Sequence, residues 1–296
     1  MWCAGAAFAS VSRVRFGSVP VEPTGPGHDG CVPVAVPEVL RHAVRDDPAG
    51  PAWLASLDDR VARACGRWGL VVGEPFETGM AAWTAPAVTT TGLDVVLKLS
   101  FPHLEARGEA AALAVWRGSG AVELVDADAE DQALLLRRLR PGTSLRDSAL
   151  PIAEHLAAGA DVLRRLASVR VPPGGPFRDL AAVAVDEAAT TEERIERLAP
   201  SAPYVVDVGL ARHAVDLLRS LPVGAPVVGL AHGDLNPGNI LQDSSDPSDP
   251  SGDGWLAIDP KPVHGDLAFD PWPLLTQVGN WVDVIAEPDD LAHRTR

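Results

Sequence analysis

A chain of 296 residues, 46% hydrophobic and 22% charged, is long enough for one large domain or two lobes around a sizeable core. Its formal net charge of −15 excludes nucleic acid and anionic membrane as partners, since both demand basic patches; it suits a cationic small molecule, or simply a soluble surface. Three scattered cysteines (Cys3, Cys31, Cys65) give neither a disulfide framework nor a metal cluster, no apolar run reaches membrane-spanning length, and Arg13 and Arg15 interrupt the apolar N-terminus, so a cytoplasmic protein is expected.

Residues 1–33 are small, Gly- and Pro-rich and aperiodic, and are expected to form a flexible N-terminal extension, with order beginning near Val34. Pro51 through Trp68 reads as one helix, with Leu54, Leu57, Val61, Ala64 and Trp68 at three- and four-residue spacing and Gly69 as its stop. Leu70 to Leu99 reads as strands with turns at Gly73, Gly79 and Thr91-Gly92. Within it, Glu77-Thr78-Gly79-Met80 offers a single glycine where a phosphate-covering loop uses several, and an ordinary hairpin explains it equally well. Asp94-Val95-Val96-Leu97-Lys98-Leu99 alternates aliphatic residues around one lysine, close to the V-A-I-K strand whose lysine holds nucleotide phosphates; the plain alternative is a solvent-facing lysine on an edge strand. His103 to Trp116 follows as a helix with Glu105 and Glu109 on one face. Either could fix the lysine, and Glu109, which opens Glu-Ala-Ala-Ala-Leu, is preferred although Gly108 beside it is a poor helix residue.

Ala121–Val125 and Ala133–Leu136 pattern as strands around an acidic turn, Asp126 to Asp131. Arg137-Arg138-Leu139-Arg140-Pro141-Gly142 then breaks into a connector with solvated arginines; in a two-lobed kinase the crossing between lobes falls here, which makes Arg138 and Leu139 candidates for contact with adenine. From Leu150 the pattern turns helical, with Ile152, Leu156, Ala160, Leu163 and Leu166 in one stripe. Two further helices, Arg178–Leu198 and Tyr204–Leu221, carry Asp186, Glu187, Glu192, Glu193 and Asp207 on an expected solvated face, some of which could line a cleft for a cationic substrate.

The most informative stretch is Ala231-His232-Gly233-Asp234-Leu235-Asn236-Pro237-Gly238-Asn239-Ile240-Leu241, in which every fixed position of the kinase catalytic loop H-x-D-L-x-x-x-N is filled. Apolar residues on both sides make it a tight polar loop between buried strands. Asp234 can orient and deprotonate an alcohol, whereas Asn239, and Asp259 at the end of Trp255-Leu256-Ala257-Ile258, offer hard oxygens that suit magnesium. A buried polar turn that merely satisfies its own backbone is the alternative; the full pattern together with Asp259 argues against it. Asp243 to Gly254 is polar and of low complexity and is expected to be a mobile hairpin tip. His264-Gly265-Asp266 repeats the loop's tripeptide without the Leu and Asn that should follow, so Asp266 is expected to cap a helix or brace the loop.

Val96-Leu97-Lys98, Glu109 to Leu113, Leu134 to Thr143, His232 to Leu241, and Ile258-Asp259-Pro260-Lys261-Pro262 through Gly265-Asp266 together resemble the aminoglycoside phosphotransferase family, most closely its streptomycin 6-kinase and hydroxyurea phosphotransferase branch. The resemblance implies an α+β, two-lobed protein-kinase-like fold: a β-rich N-lobe over residues 34–139, a helical C-lobe over 140–296, and ATP between them. It implies that Lys98 and Glu109 serve the phosphates, Arg138 and Leu139 the adenine, Asp234 acts as base, and Asn239 and Asp259 hold Mg2+. Family members continue through further helices, so the C-lobe is expected to be short. Three readings follow: a kinase for an aminocyclitol antibiotic such as streptomycin, a kinase for hydroxyurea or another small hydroxyl metabolite, and a truncated inactive pseudokinase.

Overall fold

The structure, a computed structural model, describes residues 34–77, 79–103, 107–171, 175–198, 207–244 and 254–277. The expected N-terminal extension, residues 245–253 of the expected hairpin tip, and Glu105 lie outside these.

Alternation of side chains across a strand builds the first layer. In β3 (Asp94–Ser100), Val95, Leu97 and Leu99 share one face and are fully buried, while Val96 and Lys98 take the other. β3 is the middle strand of an antiparallel five-stranded sheet of order β1-β2-β3-β5-β4, with β1 Leu70–Val72, β2 Ala82–Thr89, β4 Leu124–Asp128 and β5 Ala133–Arg137. Lys98 pairs in register with Thr84 on one side and Leu134 on the other, so it is no edge-strand lysine. Helices α1 (Glu38–Val44), α2 (Gly50–Ala55) and α3 (Leu57–Trp68) cover the Val95–Leu97–Leu99 face and close a core that includes Trp53, Leu57, Val61 and Trp83. The single helix expected over Pro51–Trp68 is thus two. Ser56 interrupts it, with both its hydroxyl and its N–H bonded to the carbonyl of Trp53, the local competition that makes serine a weak helix residue. Gly69 ends α3 in the left-handed region at φ +61.

A second core joins α4 (Glu109–Trp116) to α5 (Ile152–Ser168), α8 (Pro271–Gln277) and the strands around the catalytic-loop motif, through Leu113, Trp116, Val162, Leu166, Leu230 and Leu274. The helix expected from His103 begins only at Glu109, because Gly108 is its N-cap at φ +95 and not an interior residue. The buried stripe of α5 also differs from the expected one: Gly159, Val162 and Leu166 are buried, whereas Ile152 and Ala160 are exposed. Counting large residues overlooks Gly159, whose missing side chain admits Leu274; a Cβ there would lie 2.3 Å from that leucine.

Two three-stranded sheets complete the frame. One has order β10-β9-β6, from β6 (Pro141–Ser144), β9 (Ile240–Asp243) and β10 (Gly254–Ala257); the other has order β7-β11-β8, from β7 (Arg178–Asp179), β8 (Val228–Ala231) and β11 (Val263–Asp266). α6 (Leu180–Leu198) packs against β11 and against α7 (Val208–Ser220). Two acids expected on a solvated face are structural: Glu192 accepts from Nη1 and Nη2 of Arg219 between α6 and α7, and Asp207 caps α7 by accepting from Leu210 N at 2.9 Å. The strand expected at Ala121–Val125 is shifted to Leu124–Asp128, taking up part of the acidic turn; Trp68 Nε1 fastens it to α3 by donating to Asp126 at 2.7 Å.

β9 and β10 form the expected hairpin, but Asp243 belongs to its strand and not to the tip. It is fully buried, and accepts from Arg137 Nη2 at 2.6 Å and Arg140 N at 3.2 Å. The connector arginines are ion-paired, Arg137 to Asp243, and Arg138 and Arg140 to Asp94; Arg140 stays solvent-exposed as expected, whereas Arg137 and Arg138 are partly buried. Arg137→Met strands the buried Asp243 carboxylate and should lower the free energy of unfolding by roughly 3 kcal/mol, the lower end for a broken buried pair because the arginine is itself partly exposed. Urea unfolding reads this directly, and a loss under about 1 kcal/mol would show that Asp243 does not depend on Arg137.

Candidate active site

β8 delivers the chain into the loop at His232, and three tertiary contacts then fix its path. The carboxylate of Asp270 accepts from His232 N at 2.6 Å and from Gly233 N at 2.8 Å. Gly233 turns at φ +83, with Lys261 O so close that a Cβ would lie 2.0 Å from it, so glycine is required on both counts. Lys261 N in turn donates to His232 O at 2.8 Å. The His232 ring is fully buried and stacked on Trp116 at 6.1 Å between centroids. Its Nδ1 accepts from Asp234 N at 3.3 Å and its Nε2–H donates to Ile258 O at 3.0 Å, which assigns the neutral tautomer. Burial pushes this imidazole down to about 4, so the ring is neutral at neutral pH, and its two hydrogen bonds brace the loop. Burial likewise pushes Asp270 up to about 6, against the opposing effect of the two N–H groups it accepts.

Asp234 is presented by this frame. Its Oδ1 accepts from Asn236 Nδ2 at 3.1 Å; its Oδ2 accepts from Asn239 Nδ2 at 3.2 Å and from Lys261 Nζ at 2.9 Å. Asn239 Nδ2 also donates to Asp234 O at 2.9 Å, which fixes the amide's orientation and leaves its Oδ1 as the acceptor end. A 3-10 turn, Pro237–Asn239, leads into β9, and Ile258 N donates to Asn239 O at 2.9 Å, so Asn239 and the Asp259 turn are bonded neighbours.

Lys98 lies at the centre of a second cluster. Its Nζ donates to Glu109 Oε1 at 2.7 Å and to Asp259 Oδ1 at 2.5 Å, with Lys98 and Glu109 both buried. Burial disfavours the ammonium, but Glu109 and Asp259 outweigh it and hold its pKa above the ordinary lysine value. Burial also opposes charge on Asp259; Lys98 and then Lys261 overcome that and keep its carboxyl below the usual range. Asp259 adopts φ +56, an uncommon conformation for a residue with a side chain, and Pro262 of the same turn rests against Gly108 at the start of α4.

The structure thus brings Lys98, Glu109, Asp234, Asn239 and Asp259 together through bonds between strand, helix and two turns. Arg138 and Leu139 lie on the connector after β5: Arg138 N donates to Asp94 O at 3.3 Å, and Leu139 is buried in the second core. Asp266 caps the 3-10 turn Leu267–Phe269 by accepting from Ala268 N at 3.0 Å, one of the two structural roles expected of it. Two functional neighbours escaped sequence reasoning. Asp270 gave no signal beyond its proximity to the repeated His-Gly-Asp, and Lys261 only its place in Asp-Pro-Lys-Pro. The oxygen donors of Asn239 and Asp259, one neutral and one ionised, are of the hard kind that would suit a magnesium ion.

The profile of a family described as aminoglycoside/hydroxyurea antibiotic resistance kinase matches residues 67–295. The chain is similar to a hydroxyurea phosphotransferase of Kitasatospora aureofaciens, 39% identical over 232 residues, an alignment that spans 77% of this chain and 63% of that protein. It therefore spans less than two thirds of that relative's length. It is also similar to a streptomycin 6-kinase of Streptomyces glaucescens, 32% identical over 263 residues, covering 86% of this chain and 78% of that one. Among solved structures, a choline kinase of Streptococcus pneumoniae superposes with a TM-score of 0.51 at 16% identity, covering 81% and 80% of the two chains. The fold is the kinase-like one that the sequence resemblance implied.

Two buried groups of the loop should titrate against each other. His232, lowered from 6.5 to about 4, binds its proton first in the unfolded chain, so its contribution to stability is complete above 6.5 and is lost as pH falls toward 4. Asp270, raised from 3.8 to about 6, binds its proton first in the folded state, so its contribution declines as pH rises from 4 to 6. Asp270→Asn removes the declining component. Whatever its absolute stability, that variant should gain roughly 2 kcal/mol more than the parent between pH 4.5 and pH 6, at about 1.4 kcal/mol per pKa unit. Denaturant unfolding across this range tests it, and parallel curves for the two proteins would count against the raised Asp270.

Proposed function

The chain belongs to the aminoglycoside/hydroxyurea antibiotic resistance kinase family, and from that premise we propose that it transfers the γ-phosphoryl group of ATP to a hydroxyl of an aminocyclitol antibiotic of the streptomycin kind, conferring resistance to it. One observation carries the kinase reading: Lys98 Nζ bonds Glu109 and Asp259 at once, at 2.7 and 2.5 Å, although those residues stand 11 and 161 positions away.

Each residue then has a task. Lys98, kept cationic by its two carboxylates, binds the nucleotide's phosphates, and Glu109 holds Lys98 in place. Arg138 and Leu139 border the adenine from the connector. Asn239 Oδ1 and the Asp259 carboxylate are the protein's ligands for Mg2+, which when bound neutralises charge on the phosphates. Asp234, aimed by two amides and Lys261, orients the acceptor hydroxyl and takes its proton. The acidic chain, with a net charge of −15, favours a cationic acceptor, and its cysteine usage suits the cytoplasm, where ATP is supplied. The relative named hydroxyurea phosphotransferase, at 39% identity, supports a second reading with that small neutral hydroxyl compound as acceptor.

ADP release measured with streptomycin and with hydroxyurea decides between these acceptors, and silence with both would overturn both acceptor assignments. Asp234→Asn keeps the shape of the side chain but removes the base, so turnover should fall roughly a hundred- to ten-thousand-fold while ATP affinity stays near that of the parent. Asp259→Ala should abolish the magnesium dependence of ATP binding in calorimetry; unchanged Mg-ATP affinity would remove Asp259 from the metal site.

A further inference from the structure

We propose that Lys261 is a catalytic residue, whose ammonium meets the transferring phosphoryl group on the acceptor side and balances its charge during transfer. This rests on the phosphotransfer reading above and adds to it a cation that the catalytic-loop motif itself does not contain.

In the loop from His232 to Asn239 the charged side chain is that of Asp234, because His232 is neutral and the remainder are amides, glycines, Leu235 and Pro237. A phosphoryl group arriving beside Asp234 would bring its own negative charge against that carboxylate. Of the nearby cations, Lys98 is committed to Glu109 and Asp259 on the nucleotide side. Arg146 is engaged with the loop's own amide, donating to Asn236 Oδ1 and to Gln277 Oε1 at 3.0 Å each, which makes it a positioning residue for Asn236. Lys261 Nζ, by contrast, lies 2.9 Å from Asp234 Oδ2 with about a third of its side chain exposed (34%), so it can reach what that carboxylate reaches. Its backbone cannot drift, since its N–H donates to His232 O and its carbonyl packs on Gly233. The side chain also borders a pocket of about 270 Å³, lined by Asp47, Met80, Ala81, Phe101 and His103 among others. The pocket and the side chain's exposure leave the ammonium open to a small ligand.

The step balances without Lys261 changing protonation. The acceptor oxygen forms its bond to the γ-phosphorus as the bond from that phosphorus to the β,γ-bridging oxygen breaks. The electron pair leaves with ADP, and the hydroxyl proton passes to Asp234. Lys261 exchanges its contact with Asp234 Oδ2 for one with the phosphoryl oxygens as that carboxylate is neutralised, so positive charge stays where negative charge has moved.

The test uses the full chain and needs no acceptor. Calorimetry compares the affinity for Mg-ADP with that for Mg-ADP plus aluminium fluoride, a mimic of the phosphoryl group in flight, in the parent, Lys261→Met and Lys261→Arg. The parent should bind tighter when fluoride is present. Lys261→Met should bind Mg-ADP within about twofold of the parent and lose at least tenfold of the fluoride-dependent gain, and Lys261→Arg should keep most of it. Where turnover is measurable, Lys261→Met should lower kcat roughly a hundred- to thousand-fold with KM for ATP little changed. Lys261→Gln takes the place of the methionine variant if that variant fails to fold. Equal losses for both ligands mean a merely structural lysine and overturn the proposal, as does an undiminished fluoride gain in the variant or none in the parent. An acceptor screen that stays silent while the selective loss is seen overturns the acceptor assignment and leaves Lys261 in place.

Discussion

A lysine ammonium buried between two carboxylates holds the site together. Ionised groups taken out of water cost several kcal/mol each unless they are paired and hydrogen-bonded, so Lys98, Glu109 and Asp259 are tolerable only in one another's company. That condition ties a central strand, the first turn of a helix and a turn more than 160 residues later into one object. Gly108 and Pro262 make the approach possible, the glycine by its φ of +95 and the proline by resting where a side chain on residue 108 would stand. Burial raises the Glu109 carboxyl above its ordinary value, and Asp259 is the more exposed of the two, so the carboxylate that a divalent ion could reach is that of Asp259.

The polar loop beside it follows a different logic. The loop that presents Asp234 is held by His232, locked as a neutral ring between Trp116, Ile258 O and Asp234 N. Asp270 takes the two backbone donors that the sharp turn at Gly233 leaves over. The result is a carboxylate aimed by amides on a backbone that has little freedom to relax, the pre-organisation that charge-stabilising sites require.

What could be read from the sequence was what local spacing dictates. The eight-residue loop, the lysine strand and the carboxylate after the next strand could be read because phosphoryl chemistry demands those types at those intervals. The choice of Glu109 over Glu105 rested on the helical run that follows it, and Lys98 bonds Glu109 in the structure. Illegible were the residues whose meaning lies in a distant partner: Asp270 for His232 across 38 positions, Lys261 for Asp234 across 27, and Asp243 for Arg137 across 106. Asp243 was hidden further by its sequence company, since a buried carboxylate at the edge of a Ser- and Asp-rich run looks like one more solvated residue. Gly159 misled for the opposite reason, because a periodicity count registers side chains and it contributes by lacking one.

The hairpin of β9 and β10 has an evolutionary consequence. Its register, Ile240 opposite Ala257 and Asp243 opposite Gly254, is set by four residue pairs, with Asn239 and Asp259 just beyond its open end. Whatever connects the other end cannot alter the spacing of those two residues, because the ladder and the buried Asp243 stand between. Loop closure grows only by about 0.6 kcal/mol for each doubling of length. Selection can therefore change the length of the connection between β9 and β10 while the ladder keeps Ile240 on Ala257, and with them the separation of Asn239 from Asp259.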